Sequence, residues 1–135
     1  GKDFVIIDFE GEPARSLTER RLKRSVLRDV AGMIRSFHYA AYGALFLKTS
    51  VLPEDIKHLE PWAEQWFYYV SGVFLHSYLT TLGDAPLVPK DRQDLEVLLG
   101  VFLLEKAVYE LGYELNNRPD WVSIPLKGIQ HILSP

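Results

Sequence analysis

Cysteine is missing from this sequence altogether, and methionine occurs once. No disulfide can staple the chain and no thiolate can hold a metal, which fits a cytoplasmic protein. Nowhere do about 18 apolar residues follow one another, so no transmembrane helix and no membrane partner are expected. The first residues carry no signal-peptide pattern. An excess of basic charge is missing too. The formal net charge is −3, so the chain as a whole is no nucleic-acid binder on electrostatic grounds. His38, His58, His76 and His131 are far apart and show no metal-ligand spacing. There is no Gly-rich phosphate loop, no Gly-x-Ser-x-Gly elbow and no His-Glu-x-x-His motif. What is plentiful is apolar and aromatic surface. Hydrophobic residues make up 47% of 135 residues, enough for the core of one domain over residues 1–135.

Periodicity divides the chain into one strand and about four helices, a mainly α fold. Residues 3–9, Asp-Phe-Val-Ile-Ile-Asp-Phe, are apolar on both faces and read as a buried strand. Such a strand needs partners for its backbone, and no second strand of this quality follows. The chain is therefore expected to be a piece of a larger protein. Residues 10–25 form a polar, Arg-rich connector in which Thr18-Glu19-Arg20-Arg21 starts a short helix. Helical spacing of Val26, Val30, Met33, Ile34, Phe37, Ala41, Leu45 and Leu47 predicts a helix over 26–48, with Ser25 as N-cap. A loop over 49–57 precedes a helix over 59–82, with Pro61 in its first turn. Gly83-Asp84-Ala85-Pro86 ends that helix. The longest helix runs from Asp91 to about Leu115, capped by Asp91 or Asp94 and stopped before Pro119. One or two short helices, with Pro125 in a first turn, fill 119–133. The helices over 59–82 and 91–115 are apolar on most faces, which predicts burial on more than one side.

Five constellations carry chemistry. Asp8, Glu10 and Glu12 share one side of an extended segment. They suit a hard cation such as Mg²⁺, or form an acidic turn. Asp29 stands in the first turn of its helix, where it favours the helix dipole or holds a neighbouring loop. Lys106, Tyr109 and Tyr113 are spaced i, i+3, i+7 and share a helix face with Leu99 and Phe102. Hydroxyls and an ammonium on a core-facing stripe suit a sugar pocket, or mark a helix end reaching solvent. Trp62, Trp66 and Tyr69 share a face that reads as core, although such rings also stack on sugars. Arg118, restricted by Pro119, either clamps a substrate or caps the preceding helix.

Four blocks in this order resemble the bacterial maltokinase family. They are Ile7-Asp8-Phe9-Glu10-Gly11-Glu12-Pro13, Leu27 to Phe37, Glu105 to Glu110, and Tyr113 to Trp121. That family is similar to protein kinases and aminoglycoside phosphotransferases, and in many bacteria it is fused behind trehalose synthase. The resemblance implies the helical C-terminal lobe of a kinase-like fold and transfer of the ATP γ-phosphate to the anomeric hydroxyl of maltose. It implies that Asp8 binds the metal and that Asp29 braces the catalytic loop. Lys106, Tyr109 and Tyr113 then bind maltose, with Arg118 close by. The nucleotide-binding lobe and the loop carrying the general base are not in the chain. No catalytic residue is expected here, and no ATP, Mg²⁺ or phosphorylating activity in the isolated chain. An uncovered lobe interface is also expected to make the chain self-associate.

Overall fold

The computed structural model describes residues 5, 11, 16–47 and 51–134. Among them the protein is helical, with no strand and no helix long and apolar enough to cross a membrane. The expected strand lies outside the described residues except for Val5, which is exposed and in no strand. Asp8 lies outside them as well. The mainly α class holds for what is described.

Each helix start has a local cause. Helix α1, Leu17–Arg21, opens with a capping box: the Ser16 hydroxyl accepts the Glu19 N–H, and the Glu19 carboxylate accepts the Ser16 N–H at 3.0 Å. Helix α2, Leu27–Phe46, follows Val26, whose backbone is already helical. The N-cap is Val26 rather than the expected Ser25, which stands one residue earlier and accepts the Leu27 N–H with its hydroxyl at 3.3 Å.

Helix α3 runs Pro53–Leu82, six residues longer at its start than the periodicity predicts. Pro53, not Pro61, occupies the first turn, with Glu54 and Asp55 favouring the positive helix end. Pro61 sits inside the helix on its exposed side, as does Lys57. The Lys57 carbonyl that loses its helical donor there is open to water. Helix α4, Arg92–Asn117, is capped by Asp91, whose carboxylate accepts the N–H groups of Gln93 and Asp94 at 2.8 and 3.0 Å. Asn116 and Asn117 are its last two residues. They donate back to the carbonyls of Gly112 and Tyr113, and the helix stops at Arg118 because Pro119 cannot continue it. A 3₁₀ turn, Pro119–Trp121, leads into α5, Ser123–Leu133, with Pro125 in its first turn.

Helix α2 is the centre. It packs on α3, α4 and α5, and α4 also packs on α5. Its buried face is wide enough to serve three neighbours: Leu27, Val30, Ala31, Ile34, Ala41, Tyr42 and Leu45 lie in the core, with Phe67, Leu99 and Ile124 against them. A fully buried side chain of this size contributes about 1.5–3 kcal/mol. Met33 lies off that face and is exposed, contrary to its place in the predicted stripe. Cross-helix pairs give the directions. Arg28–Glu105, Arg35–Glu110 and Tyr39–Glu114 rise together, so α2 and α4 run parallel. Phe37–Phe74 and His38–Phe67 run in opposite order, so α3 returns antiparallel between them in sequence.

Helix α3 packs against α2, whereas α4 packs against both α2 and α5, as its apolar faces predict. Phe67 is the one buried residue of α3, and Trp62, Trp66 and Tyr69 face solvent rather than the core. Apolar spacing reveals which residues share a face. It does not say whether a neighbour covers it. Beside Trp62 and Trp66, an open groove of about 520 Å³ separates α3 from Ala40, Ala44 and Leu45 of α2.

His38 is enclosed by aromatic rings. It stacks on Tyr42 at 4.4 Å and meets Phe67 and His131 edge-on at 5.1 and 5.7 Å. Among the described residues neither of its nitrogens has a hydrogen-bond partner. Burial, reinforced by the nearby Arg35 charge, lowers its pKa to about 3. Burial lowers that of His131 as well. An unfolded histidine takes up a proton near pH 6.5, whereas folded His38 does not until about pH 3. Its contribution is complete above pH 6.5 and is lost as pH falls towards 3. Chemical denaturation at pH 8 and pH 5 should differ by about 2 kcal/mol on account of His38. His38→Phe should lose most of that dependence. A variant as acid-sensitive as the parent would refute this assignment.

Candidate functional site

The last three turns of α4 bring most of the predicted site residues into one region. Two carboxylates one turn apart, Glu110 and Glu114, lie on the side of α4 that meets α2. Arg35 and Tyr39, also one turn apart, reach them from α2. Arg35 Nε donates to Glu110 Oε2 at 2.8 Å, and both side chains are largely out of solvent. The Tyr39 hydroxyl donates to Glu114 Oε1 at 3.0 Å. Glu114 is 1% exposed. Its charge is met from the other side by Arg118, which donates through Nε at 2.8 Å and through a terminal nitrogen at 2.6 Å. Paired donors on one carboxylate fix orientation as well as charge.

Aromatic rings complete the arrangement. The Arg118 guanidinium lies 4.3 Å from the Trp121 ring centre and 5.4 Å from that of Tyr113. Trp121 in turn stacks on Tyr39 at 6.3 Å. The Lys106 ammonium lies 5.0 Å from the Tyr109 ring centre. Cations over aromatic faces are attracted by the ring quadrupole. Tyr113 and Arg118 remain substantially exposed, and Lys106 and Tyr109 partly so. Together they present ring faces, phenol hydroxyls and cationic N–H donors.

Electrostatics follow from burial. Burial pushes the Glu110 carboxyl upward, and the Arg35 guanidinium pulls it back. Burial raises the Tyr39 phenol well above its usual range, helped by the nearby charge of Glu110 and by its bond to Glu114. Tyr39 therefore stays a hydrogen-bond donor at any physiological pH. Gly128 of α5 admits Arg35, since a Cβ there would overlap the guanidinium.

The four residues proposed to bind substrate, Lys106, Tyr109, Tyr113 and Arg118, thus lie along one end of α4. Both readings of Arg118 have a counterpart. Its backbone N–H closes the helix onto the Glu114 carbonyl, while its guanidinium keeps an exposed edge. Asp29 stands exposed in the first turn of α2, at the end of that helix away from this network. Among the described residues no cluster of His, Asp and Glu can hold a metal, and no chemical step is routed through one. Sequence reasoning missed Arg35, Tyr39, Glu110, Glu114, Trp121 and Gly128 as the supports of the face. Arg35 and Glu114 carried a signal: each is a charge at a core position of its helix's apolar repeat, where burial demands a partner.

Compared with known proteins, the chain is 27% identical over 132 residues to a glucosamine kinase of Streptacidiphilus jiangxiensis. The match covers 96% of the chain and 27% of that protein, so the chain spans about a quarter of its relative's length. No protein-family model matches the chain.

Removing one member of a buried ion pair strands the other charge. Arg35→Met should cost roughly 3–5 kcal/mol, while Arg35→Met with Glu110→Leu should recover most of it. Urea denaturation decides, and a double variant as weak as the single one would contradict this. Gly128→Ala should cost about 1–3 kcal/mol through overpacking. That cost should shrink in the Arg35→Met background, where the thinner side chain leaves room.

Proposed function

We propose that this chain is the acceptor-binding lobe of an ATP-dependent sugar kinase, built as the helical C-terminal lobe of a kinase-like fold. The observation that carries the reading is the face made by Lys106, Tyr109, Tyr113 and Arg118, held from behind by Arg35, Tyr39, Glu110 and Glu114. A sugar offers apolar ring faces and a rim of hydroxyls. Exposed aromatic rings take the first, and phenol and cationic N–H groups bond the second. The likeness to a glucosamine kinase supports the same substrate class.

Two acceptors come into question. The resemblance to maltokinase points to maltose, and the relative's name points to glucosamine. The charge of the face favours the neutral sugar. Its charged side chains are Lys106 and Arg118, and the nearby carboxylates Glu110 and Glu114 are already bound to Arg35, Tyr39 and Arg118. An aminosugar's ammonium would find both of these carboxylates already engaged. On this reading ATP and Mg²⁺ act in the parent enzyme, with Asp8 as a metal ligand and Asp29 as the brace of the catalytic loop. The chain itself holds and orients the acceptor. Positioning is much of what a phosphoryl-transfer enzyme supplies, but not all of it. The chain alone should therefore not phosphorylate a sugar.

In the intact parent enzyme, Lys106→Ala and Tyr109→Phe should raise the KM for the sugar by about 10-fold or more, with the KM for ATP unchanged. Maltose should be phosphorylated with a higher kcat/KM than glucosamine. Unchanged sugar KM in both variants would remove this face from the binding site. ATP-dependent turnover of maltose by the 135-residue chain would disprove its proposed inactivity. Full phosphorylation by an Asp8→Asn parent would instead favour a non-catalytic packing module.

A further inference from the structure

Helix α5 is anchored by its first turn, where Ile124 and Pro125 are fully buried. Beyond that turn the hold changes in kind. Leu126 and Leu133 are 50 and 66% exposed, and ion pairs tie the helix to α3. Lys127 Nζ lies 2.7 Å from a Glu60 carboxylate oxygen, and His131 Nε2 lies 3.6 Å from one of Glu64. The His131 ring also meets His38 at 5.7 Å, Tyr42 at 5.6 Å and Tyr68 at 6.3 Å. Gly128 lies over the Arg35 guanidinium. The last two turns of α5 thus close one side of His38 and Arg35, which are 1 and 2% exposed.

Charge decides how firmly this closure holds. Among the described residues no hydrogen-bond partner reaches either nitrogen of His38, Nδ1 of His131 or the Tyr42 hydroxyl. A proton on His38 would have no acceptor there, and the Arg35 and Lys127 charges would repel it. The anions nearby are committed: Glu110 of α4 holds Arg35, and Glu60 of α3 holds Lys127. Glu64 favours a charged His131, but burial outweighs it and keeps that imidazole below its usual pKa. Burial also keeps the Tyr42 phenol neutral, so it offers no negative charge. We propose that residues 127–133 of α5 are an acid-released strap: proton uptake by His38 and His131 lifts them while α2, α3 and α4 stay packed. Lifting gives both imidazoles to water, where they titrate near 6.5. The strap is therefore held fully above pH 6.5 and loosens as the pH falls below it. Water then reaches the Arg35–Glu110 pair from the α5 side and weakens it. None of this depends on what the α4 face binds.

The test is hydrogen–deuterium exchange of the 135-residue chain at pH 7 and pH 5, with each amide's rate divided by its intrinsic rate at that pH. Amides of residues 127–133 should be less protected than those of α2 at both pH values, which marks an opening smaller than global unfolding. Their protection should fall about 25-fold from pH 7 to pH 5 through His38 alone, and further through His131. In His38→Phe the fall should shrink to the share of His131, and in His131→Gln about 25-fold should remain. Protection of 127–133 equal to that of α2 at both pH values would overturn the proposal, because α5 would then open only when the whole chain unfolds. So would protection that is low but independent of pH, the mark of fraying. Both outcomes are read on the unaltered chain, so they stand even if a variant does not fold. A fall undiminished in His38→Phe would overturn the part given to His38.

Discussion

A guanidinium sits where the central helix would ordinarily place a leucine. Arg35 lies on the buried face of α2, and three features make that tenable. Glu110 of α4 takes its Nε hydrogen, Tyr39 offers its ring 5.7 Å away, and Gly128 of α5 leaves the space that its bulk requires. An unpaired charge at such a position costs several kcal/mol, so Glu110 cannot drift from it. Three helices are thereby held in one mutual register. Apolar contacts alone would let them slide by a methylene or two at small cost.

The chemistry of the α4 face depends on that register. Tyr39 stands one turn beyond Arg35, and Glu114 one turn beyond Glu110, so fixing the first pair brings the second within hydrogen-bond distance. Glu114 then positions Arg118, which holds its guanidinium between Tyr113 and Trp121. The exposed ring faces and donors are thus the outer layer of a network rooted in the core. Rigid placement of this kind limits the entropy lost when a ligand is captured.

Apolar surface is distributed unevenly around this network. Helix α2 spends nearly all of its apolar side on neighbours, whereas α3 leaves Trp62 and Tyr69 76 and 74% exposed, and α4 leaves its valine-rich side open. A long helix with one covered face and one uncovered apolar face is a half-finished packing problem in water. The two open faces differ in kind. The exposed side of α3 is largely aromatic, with Trp62, Trp66 and Tyr69, while that of α4 is aliphatic, with Val97, Val101, Val108 and Leu115.

Much of this was legible in the residues. The 3.6-residue repeat of α2, the Asp91 cap, the stop at Pro119 and the first-turn place of Pro125 are local effects, and each appeared close to where it was expected. The shared face of Lys106, Tyr109 and Tyr113 also followed from spacing. Two local inferences failed for physical reasons. Pro61 suggested a helix start, but a proline on a solvent-facing side needs only a hydrated carbonyl, and Pro53 supplied a better first turn. Met33 fitted an apolar list without lying on the buried arc. What sequence by itself determined, then, was which segments are helices and which side chains share a side. Only the tertiary structure decided which of those sides is covered, that Arg35 and Glu110 meet across 75 residues of chain, and that Gly128 is the space they require. Helical periodicity acts within a few residues, through hydrogen bonds and local sterics. Burial and charge pairing are fixed by partners distant in sequence, and no local pattern names them.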